Sequence, residues 1–437
     1  MRAGTIAVIS QGCAANSGDG ERIANLFAAE GLKISFGIPD AAPRAFVLNV
    51  CTVKGNGTAL KLLRKAAEKF PGIPALITGC VPPDLLGELH KNFSFFSIAN
   101  LYALRTEPAL IKRFLNGERI EVLESAAART AGTDKDPAEI RCRENRYIGT
   151  VNIEEGCLDA CAYCSTHLVK GKLASAAEEA IVREVAFLVS DGCREIRLAG
   201  QDTSCYGFDT GTNLAELLQK ILARVPGDYR IRIGMGNPRH IFRYLDAILE
   251  TYQDDRLYKF IHLPVQSGSD RVLALMRRRH TAEDYRRLAS AFQEHIPGIT
   301  LSTDIIAGFP GETREDHEAS LAIIRDTRPT LCNITRFVPR PGTFACELGG
   351  PVPKEERFAR SAELAEVFQK IAQENNGTFT GRECRILLEK SGKRAGTFIG
   401  RDDYYHSVAL DGTFEAGTYK LVRITGAETF ALRAEII

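Results

Sequence analysis

Three cysteines stand within eight residues, Cys157-Leu158-Asp159-Ala160-Cys161-Ala162-Tyr163-Cys164, in a C-x-x-x-C-x-x-C spacing. Thiolates at such intervals hold metal. A closed zinc or iron–sulfur site takes four protein ligands, so a local triad either borrows a distant fourth or leaves one metal position open to bind and activate a small molecule. A zinc knuckle closed by His167 is the plainer alternative, but a ligand three residues after Cys164 is poor knuckle spacing. Three further cysteines, Cys13, Cys51 and Cys80, lie far apart, each just past a β-rich run. Singly, each reads as a small buried hydrophobe. Their shared placement argues for a second cluster.

The class is α/β. Thr5–Ser10, Ala45–Val50 and 74–78 read as strands, with helical spacing between them at Ile23, Leu26 and Phe27 and at Leu60, Leu63, Ala67 and Phe70. This βαβ pattern predicts a doubly wound parallel-sheet domain over 1–125. Ligands of such sheets bind at the carboxyl edge of the strands, where Cys13, Cys51 and Cys80 would converge. Gly12 and Gly79 permit close backbone approach there. Residues 125–141 lose periodicity and read as a linker. Strands at 149–153, 195–199, 230–234, 259–264, 300–306 and 331–337 then alternate with helices. They predict an incomplete (β/α)6 barrel over 143–376, whose first post-strand loop carries the Cys157 triad. A charged helix over 354–376 leads into 377–437, where the period becomes 2 and a small all-β barrel is expected, a shape used on single-stranded RNA. Arg401, Tyr404, Tyr405 and His406 are its candidate RNA contacts, and a structural cap is the equal alternative.

With 56 basic and 55 acidic side chains, the 437-residue chain has no general field for nucleic acid, so any RNA contact must be local. No run approaches the roughly 20 apolar residues of a membrane span, and no secretory leader is seen, so a cytoplasmic protein is expected. Twelve cysteines in that compartment point to metal or redox chemistry over disulfides. Cys142, Cys193, Cys205, Cys332, Cys346 and Cys384 show no ligand spacing and read as buried or incidental thiols.

The 157–164 stretch looks like the signature of radical S-adenosylmethionine (SAM) enzymes. With Cys13, Cys51 and Cys80 in an α/β domain and a terminal β-barrel, nearly the whole chain resembles the methylthiotransferase family. Segments 12–16, 198–202, 262–270, 303–313 and 337–343 look like its motif blocks, and the last sixty residues are similar to the TRAM domain. Segments 49–54, 79–82 and 164–173 look most like the archaeal and eukaryotic branch that acts on threonylcarbamoyladenosine of tRNA. Two departures stand out: Lys170 occupies a usual arginine position, and Gly20 a usual small polar one.

The resemblance implies that Cys157, Cys161 and Cys164 hold a 4Fe-4S cluster whose open iron chelates SAM, from which a 5′-deoxyadenosyl radical arises, with Tyr163 near the adenine. It implies that Cys13, Cys51 and Cys80 hold an auxiliary 4Fe-4S cluster that carries the inserted sulfur. Gln201, Gln266 and Asp304 either line the SAM pocket or are ordinary strand-end polar residues. The implied product is the 2-methylthio derivative of N6-threonylcarbamoyladenosine at position 37, beside the anticodon. Isopentenyladenosine of tRNA and a ribosomal-protein side chain are alternative acceptors, and a non-catalytic zinc-bearing RNA-binding protein is a remote third reading. The implied partners are a tRNA anticodon loop and an electron donor such as ferredoxin or flavodoxin, with the chain a monomer.

Overall fold

The computed structural model describes residues 4–52, 55–93, 96–123 and 142–437, so the linker read at 125–141 lies outside them. Strands β1 (Thr5–Ser10), β2 (Lys33–Phe36), β3 (Ala45–Val50), β4 (Ala75–Gly79), β5 (Phe96–Ala99) and β6 (Glu121–Val122) form a wholly parallel sheet in the order β2-β1-β3-β4-β5-β6. Alternation along β1 feeds two cores. Ile6 and Val8 pack with Phe27 and Leu104 on one face, Ala7 and Ile9 with Leu60 and Leu63 on the other. The strand order reverses between β1 and β3, which puts the ligand crevice of a doubly wound sheet at their carboxyl ends.

The central unit carries β7 (Ile148–Asn152), β8 (Glu154–Glu155), β9 (Ala174–Ser175), β10 (Glu195–Ala199), β11 (Arg230–Ile233), β12 (Phe260–His262), β13 (Thr300–Ala307) and β14 (Leu331–Arg336). Parallel ladders run β7-β10-β11 and β12-β13-β14. The Gly236 N–H donates to His262 O at 2.9 Å, and a parallel bridge pairs Ile231 with Leu257, joining the two ladders into one open arc. This is the incomplete six-unit barrel, with Leu198, Ile231, Leu263, Phe292 and Ile305 in its core. Helix Ala14–Ala29 of the N-terminal unit packs against β7 at one end of the arc. The antiparallel pair β8 and β9 brackets the cysteine loop.

After the long helix Lys354–Gly377, strands β15 (Glu383–Ser391), β16 (Thr397–Arg401), β17 (Ser407–Asp411), β18 (Tyr419–Ala427) and β19 (Leu432–Ile436) close a barrel in the order β15-β16-β17-β19-β18. It docks on the amino ends of the central strands, and that corrects one expectation. The Tyr405 hydroxyl donates to Glu195 at 3.1 Å, and Arg401 pairs with Glu389 at 3.4 Å. His406 is buried between Asp402 and Thr300, and Tyr404 packs edge-on against Phe379. The four residues read as RNA contacts are therefore engaged in or behind the docking seam. No helix among the described residues is long and apolar enough to cross a membrane.

Candidate active site

Cys157 sits just past β8. Gly156 before it has φ 79°, and a Cβ there would come within 1.9 Å of Lys172 O, so only glycine lets the loop cross this close to the returning chain. The Gly156 N–H donates to Gln201 Oε1 at 2.7 Å and the Cys157 N–H to Gly171 O at 3.2 Å. Ala162 is clamped by Met276 O at 2.9 Å and by the Ala345 N–H at 2.8 Å, which fixes the turn holding Cys161 and Tyr163. Cys164 is the N-cap of helix Ser165–Lys170. Burial pushes its thiol up to about 11, as do the charges of Cys161 and Cys157, while backbone N–H groups of His167 and Thr166 work the other way. Burial also raises the Cys161 thiol, opposed by the Arg278 guanidinium, whose Nη1 lies 3.6 Å from Cys161 Sγ. Tyr163 packs edge-on against Phe309 at 6.4 Å, beside the thiols.

The second triad converges as the strand-end rule predicts. Cys13 caps helix Ala14–Ala29, Cys51 follows β3 and Cys80 follows β4. The Cys13 thiol is raised by its hydrogen bond with Cys51, then by burial and by the charges of Cys51 and Cys80. Burial pushes Cys80 up to about 11, with Lys170 opposing. Asn16 Nδ2 donates to Gln11 O and Asn49 O, and Asn49 Nδ2 to Asn16 O at 2.6 Å, tying the Cys13 turn to β3. Gly79, at φ 84°, turns the chain into Cys80 where a Cβ would strike Val50 O at 2.5 Å.

The segments that carry the two triads touch. Thr52, next to Cys51, hydrogen-bonds Thr166, two residues past Cys164, at 2.8 Å. Lys170 Nζ bridges Asp19 at 3.0 Å and Glu155 at 2.8 Å, and Asn152 Nδ2 reaches Asp19 at 2.8 Å. The donor set suits iron–sulfur clusters: each site offers three thiols, and burial raises those of Cys13, Cys80, Cys161 and Cys164, which a cation would help to ionise. A single tetrahedral ion would draw its donors to roughly 3.8 Å apart. Among the described residues, the donor groups lying wholly within 4.8 Å are Cys157–Asp202–Cys205 and Asp159–Asp202–His240, and neither is a triad. The wider triads suit a multi-iron cube.

The radical SAM superfamily profile matches residues 151–324 and the TRAM domain profile residues 377–437. A probable threonylcarbamoyladenosine tRNA methylthiotransferase of Pyrococcus abyssi is 36% identical, covering 99% of each chain. The human threonylcarbamoyladenosine tRNA methylthiotransferase is 32% identical over 91% of this chain and 68% of its own. The chain belongs to the threonylcarbamoyladenosine tRNA methylthiotransferase family. The fold is shared further afield. A radical SAM methyltransferase of Kitasatospora setae, solved with cobalamin and a [4Fe-4S] cluster bound, superposes with TM-score 0.53 at 14% identity, over 78% of this chain and 73% of that one.

Within this family member the structure adds residues that sequence reading passed over. Arg278 lies in the run Arg277-Arg278-Arg279. The left-handed backbone at Arg277, φ 57°, accompanies the inward turn that brings Arg278 to Cys161. Asp159, between two triad cysteines, accepts from Asn237 Nδ2 at 2.6 Å and Arg239 Nη1 at 2.7 Å, with His240 Nε2 at 2.9 Å. Burial works against its ionisation, but His240 and Arg239 hold the carboxyl below the ordinary range. Of the strand-end polar residues, Gln201 positions the cysteine loop. Asp304 is bonded to His262 at 3.0 Å and Asn333 at 2.7 Å, and Gln266 is held at φ 74°. A non-glycine residue kept in that conformation is a mark of functional sites.

Proposed function

We propose that this chain inserts a methylthio group at C2 of N6-threonylcarbamoyladenosine at position 37 of tRNA, with Cys157, Cys161 and Cys164 holding the radical SAM cluster and Cys13, Cys51 and Cys80 the auxiliary one. The observation that carries it is the pair of thiol triads on segments joined by the 2.8 Å Thr52–Thr166 contact. The cofactors are SAM and 4Fe-4S clusters, which when bound supply a radical able to remove hydrogen from an unactivated ring carbon and a source of sulfur.

The chain's own residues hold and enclose. Gln201 and Gly171 fix the Cys157 loop, and Met276 and Ala345 fix the turn that carries Tyr163, which would lie beside the adenine of bound SAM. Arg278 offers a guanidinium to Cys161 sulfur, and Lys170 with Asp19 holds the two cysteine helices side by side. We take 1–125, 143–376 and 377–437 as the working domains, a monomer acting in the cytoplasm with a donor such as ferredoxin or flavodoxin.

Nucleoside mass spectrometry of tRNA with and without the gene tests the reaction. Methylthio-threonylcarbamoyladenosine should vanish with the gene, and an unchanged level refutes the assignment. Anaerobic reconstitution should yield about eight irons per chain, and Cys161→Ala about four. Four in the wild type would refute the two-cluster site.

A further inference from the structure

Cys205, which reads as an incidental thiol, is the one cysteine outside the triads that lies in a ligand-type group among the described residues. It is fully buried in the turn Thr203–Cys205 after β10. Its Sγ, Cys157 Sγ and one carboxylate oxygen of Asp202 all lie within 4.8 Å of one another. The turn is rigid, because Asp202 Oδ1 accepts from Ser204 N–H at 3.2 Å, Asn237 N–H at 2.9 Å and Ser204 Oγ at 2.5 Å. That oxygen is filled, which leaves Oδ2 turned toward His240 Nε2 at 3.8 Å.

Beside Cys205 stands the buried Glu154 carboxyl, with Oε2 at 3.6 Å from its sulfur. Arg239 is spent on Asp159, as is His240 at its shorter contact, and Arg278, which feels the Asp202 charge, donates to Cys161 and to Pro264 O. Two thiols and two carboxyls therefore share a buried corner, and among the described residues no lysine or arginine ion pair reaches Glu154 or Asp202. Glu154 also accepts from Asp202 N–H at 2.7 Å and the Cys205 thiol lies 3.2 Å from Asp202 O, so the corner is a hydrogen-bonded donor set that a cation enters by displacing thiol protons.

We propose that Cys157, Cys205 and Asp202 form a seat for a single divalent transition-metal ion, ferrous iron or zinc, occupied before the radical cluster is built. Two thiolates, one carboxylate and a water make a four-coordinate site, and a tetrahedral ion asks for donors roughly 3.8 Å apart, which small side-chain movements supply here. On binding, both thiols release their protons to solvent and no electron moves. Because Cys157 also belongs to the triad, a point that rests on the proposed function, the single ion and the cluster exclude each other. Ferrous iron in the seat stands at a corner of the future cluster. Zinc there obstructs it.

The test uses cobalt(II) as the probe on cluster-free full-length protein, kept anaerobic, with Cys13, Cys51 and Cys80 replaced by alanine so that only barrel thiols report. Wild-type barrel cysteines should give one cobalt per chain with thiolate-to-metal charge-transfer absorption. Cys205→Ala should remove about half that intensity and weaken binding by at least roughly tenfold, whereas Cys161→Ala with Cys164→Ala should change neither. Asp202→Asn, which keeps every thiol, should weaken binding and keep the intensity. Cobalt binding that needs Cys161 and Cys164 and ignores Cys205 overturns the seat.

In a second arm, the chain with all its cysteines is preloaded with equimolar zinc or ferrous iron before iron and sulfide are added. Zinc should slow growth of the barrel cluster and ferrous iron should not, and Cys205→Ala should erase the difference. Equal rates with zinc and iron overturn the exclusion. Either result stands apart from the nucleoside profile, which alone decides the proposed reaction.

Discussion

Replacing Lys170 by methionine tests whether one buried ion pair keeps the two triads in register. Lys170 ends the helix that starts at Cys164, and Asp19 lies in the helix that starts at Cys13, so their 3.0 Å contact ties the cysteine helices directly. Both side chains are nearly enclosed, at 8% and 9% exposure, while Glu155, the second partner, is 41% exposed and can rehydrate. Methionine keeps most of the length and removes the charge, leaving Asp19 with the Asn152 amide at 2.8 Å. Stripping one partner from a buried pair costs about 3–5 kcal/mol, and the remaining amide places this case near the lower end. About 3 kcal/mol is roughly two decades in the equilibrium between docked and undocked N-terminal units. Adding Asp19→Asn should return part of the loss, a coupling of about 2 kcal/mol. Hydrogen exchange over Ala14–Ala29 reads the docking and iron analysis reads the clusters. The expected result is faster exchange, retained iron, and methylthio transfer falling more steeply than SAM cleavage. Exchange at the wild-type rate, or a double variant whose loss equals the sum of the single losses, would refute the tether.

Arg278→Met removes a cation and a donor 3.6 Å from Cys161 sulfur and should lower the reduction potential of the barrel cluster, read by a potentiometric titration followed by electron paramagnetic resonance. An unchanged potential contradicts it. Tyr405→Phe takes a hydrogen bond from the buried Glu195 and should cost about 1–3 kcal/mol of thermal stability while tRNA affinity holds. A loss of affinity at unchanged stability would restore Tyr405 as an RNA contact. Burial raises the Glu21 carboxyl to about 8, from an ordinary value of 4.5. Between those values the folded state binds more protons than the unfolded one, so stability falls as pH rises through that window. Melting curves at both ends should show Glu21→Gln losing less than wild type, and parallel losses would refute the shift.

The sequence was most informative where chemistry is local or follows a topological rule. Cys157, Cys161 and Cys164 carry their spacing with them. Cys13, Cys51 and Cys80 are separated by dozens of residues, but each follows a parallel strand, and parallel strands bring their carboxyl ends together. Cys205 had neither signal. It is 48 positions from Cys157, on the next strand's turn, and only the β7-β10 pairing brings the two together. Arg401 to His406 failed for another reason, because cations and aromatic rings look alike in sequence whether they meet RNA or a neighbouring domain. β16 carries a weak strand signal, because Thr397-Phe-Ile-Gly-Arg401 is short and holds a glycine, although Phe398 is core. Antiparallel pairing with its chain neighbours β15 and β17 makes it a strand.

The docking seam also bears on what the substrate must be. Glu195, Arg230 and Thr300 each begin a central strand, and each touches the 402–406 loop of the C-terminal barrel. The Cys157 triad follows β7 and β8, so it lies past the opposite end of the parallel ladder that contains Glu195 and Arg230. The longest, β13, has eight residues, which at about 3.3 Å per residue spans roughly 26 Å before any tilt. An RNA touching both the C-terminal barrel and the reacting site must therefore have a body of that height. With its near-neutral charge the chain cannot gather flexible strands by field alone. Intact tRNA or its anticodon stem-loop should thus be modified at low concentration, and free threonylcarbamoyladenosine nucleoside only at far higher concentration. Steady-state kinetics on the three substrates, scored by nucleoside mass spectrometry, measure this. Equal kcat/KM for nucleoside and stem-loop would show that the C-terminal barrel contributes nothing to substrate capture, and that the structural-cap reading of 377–437 is the right one.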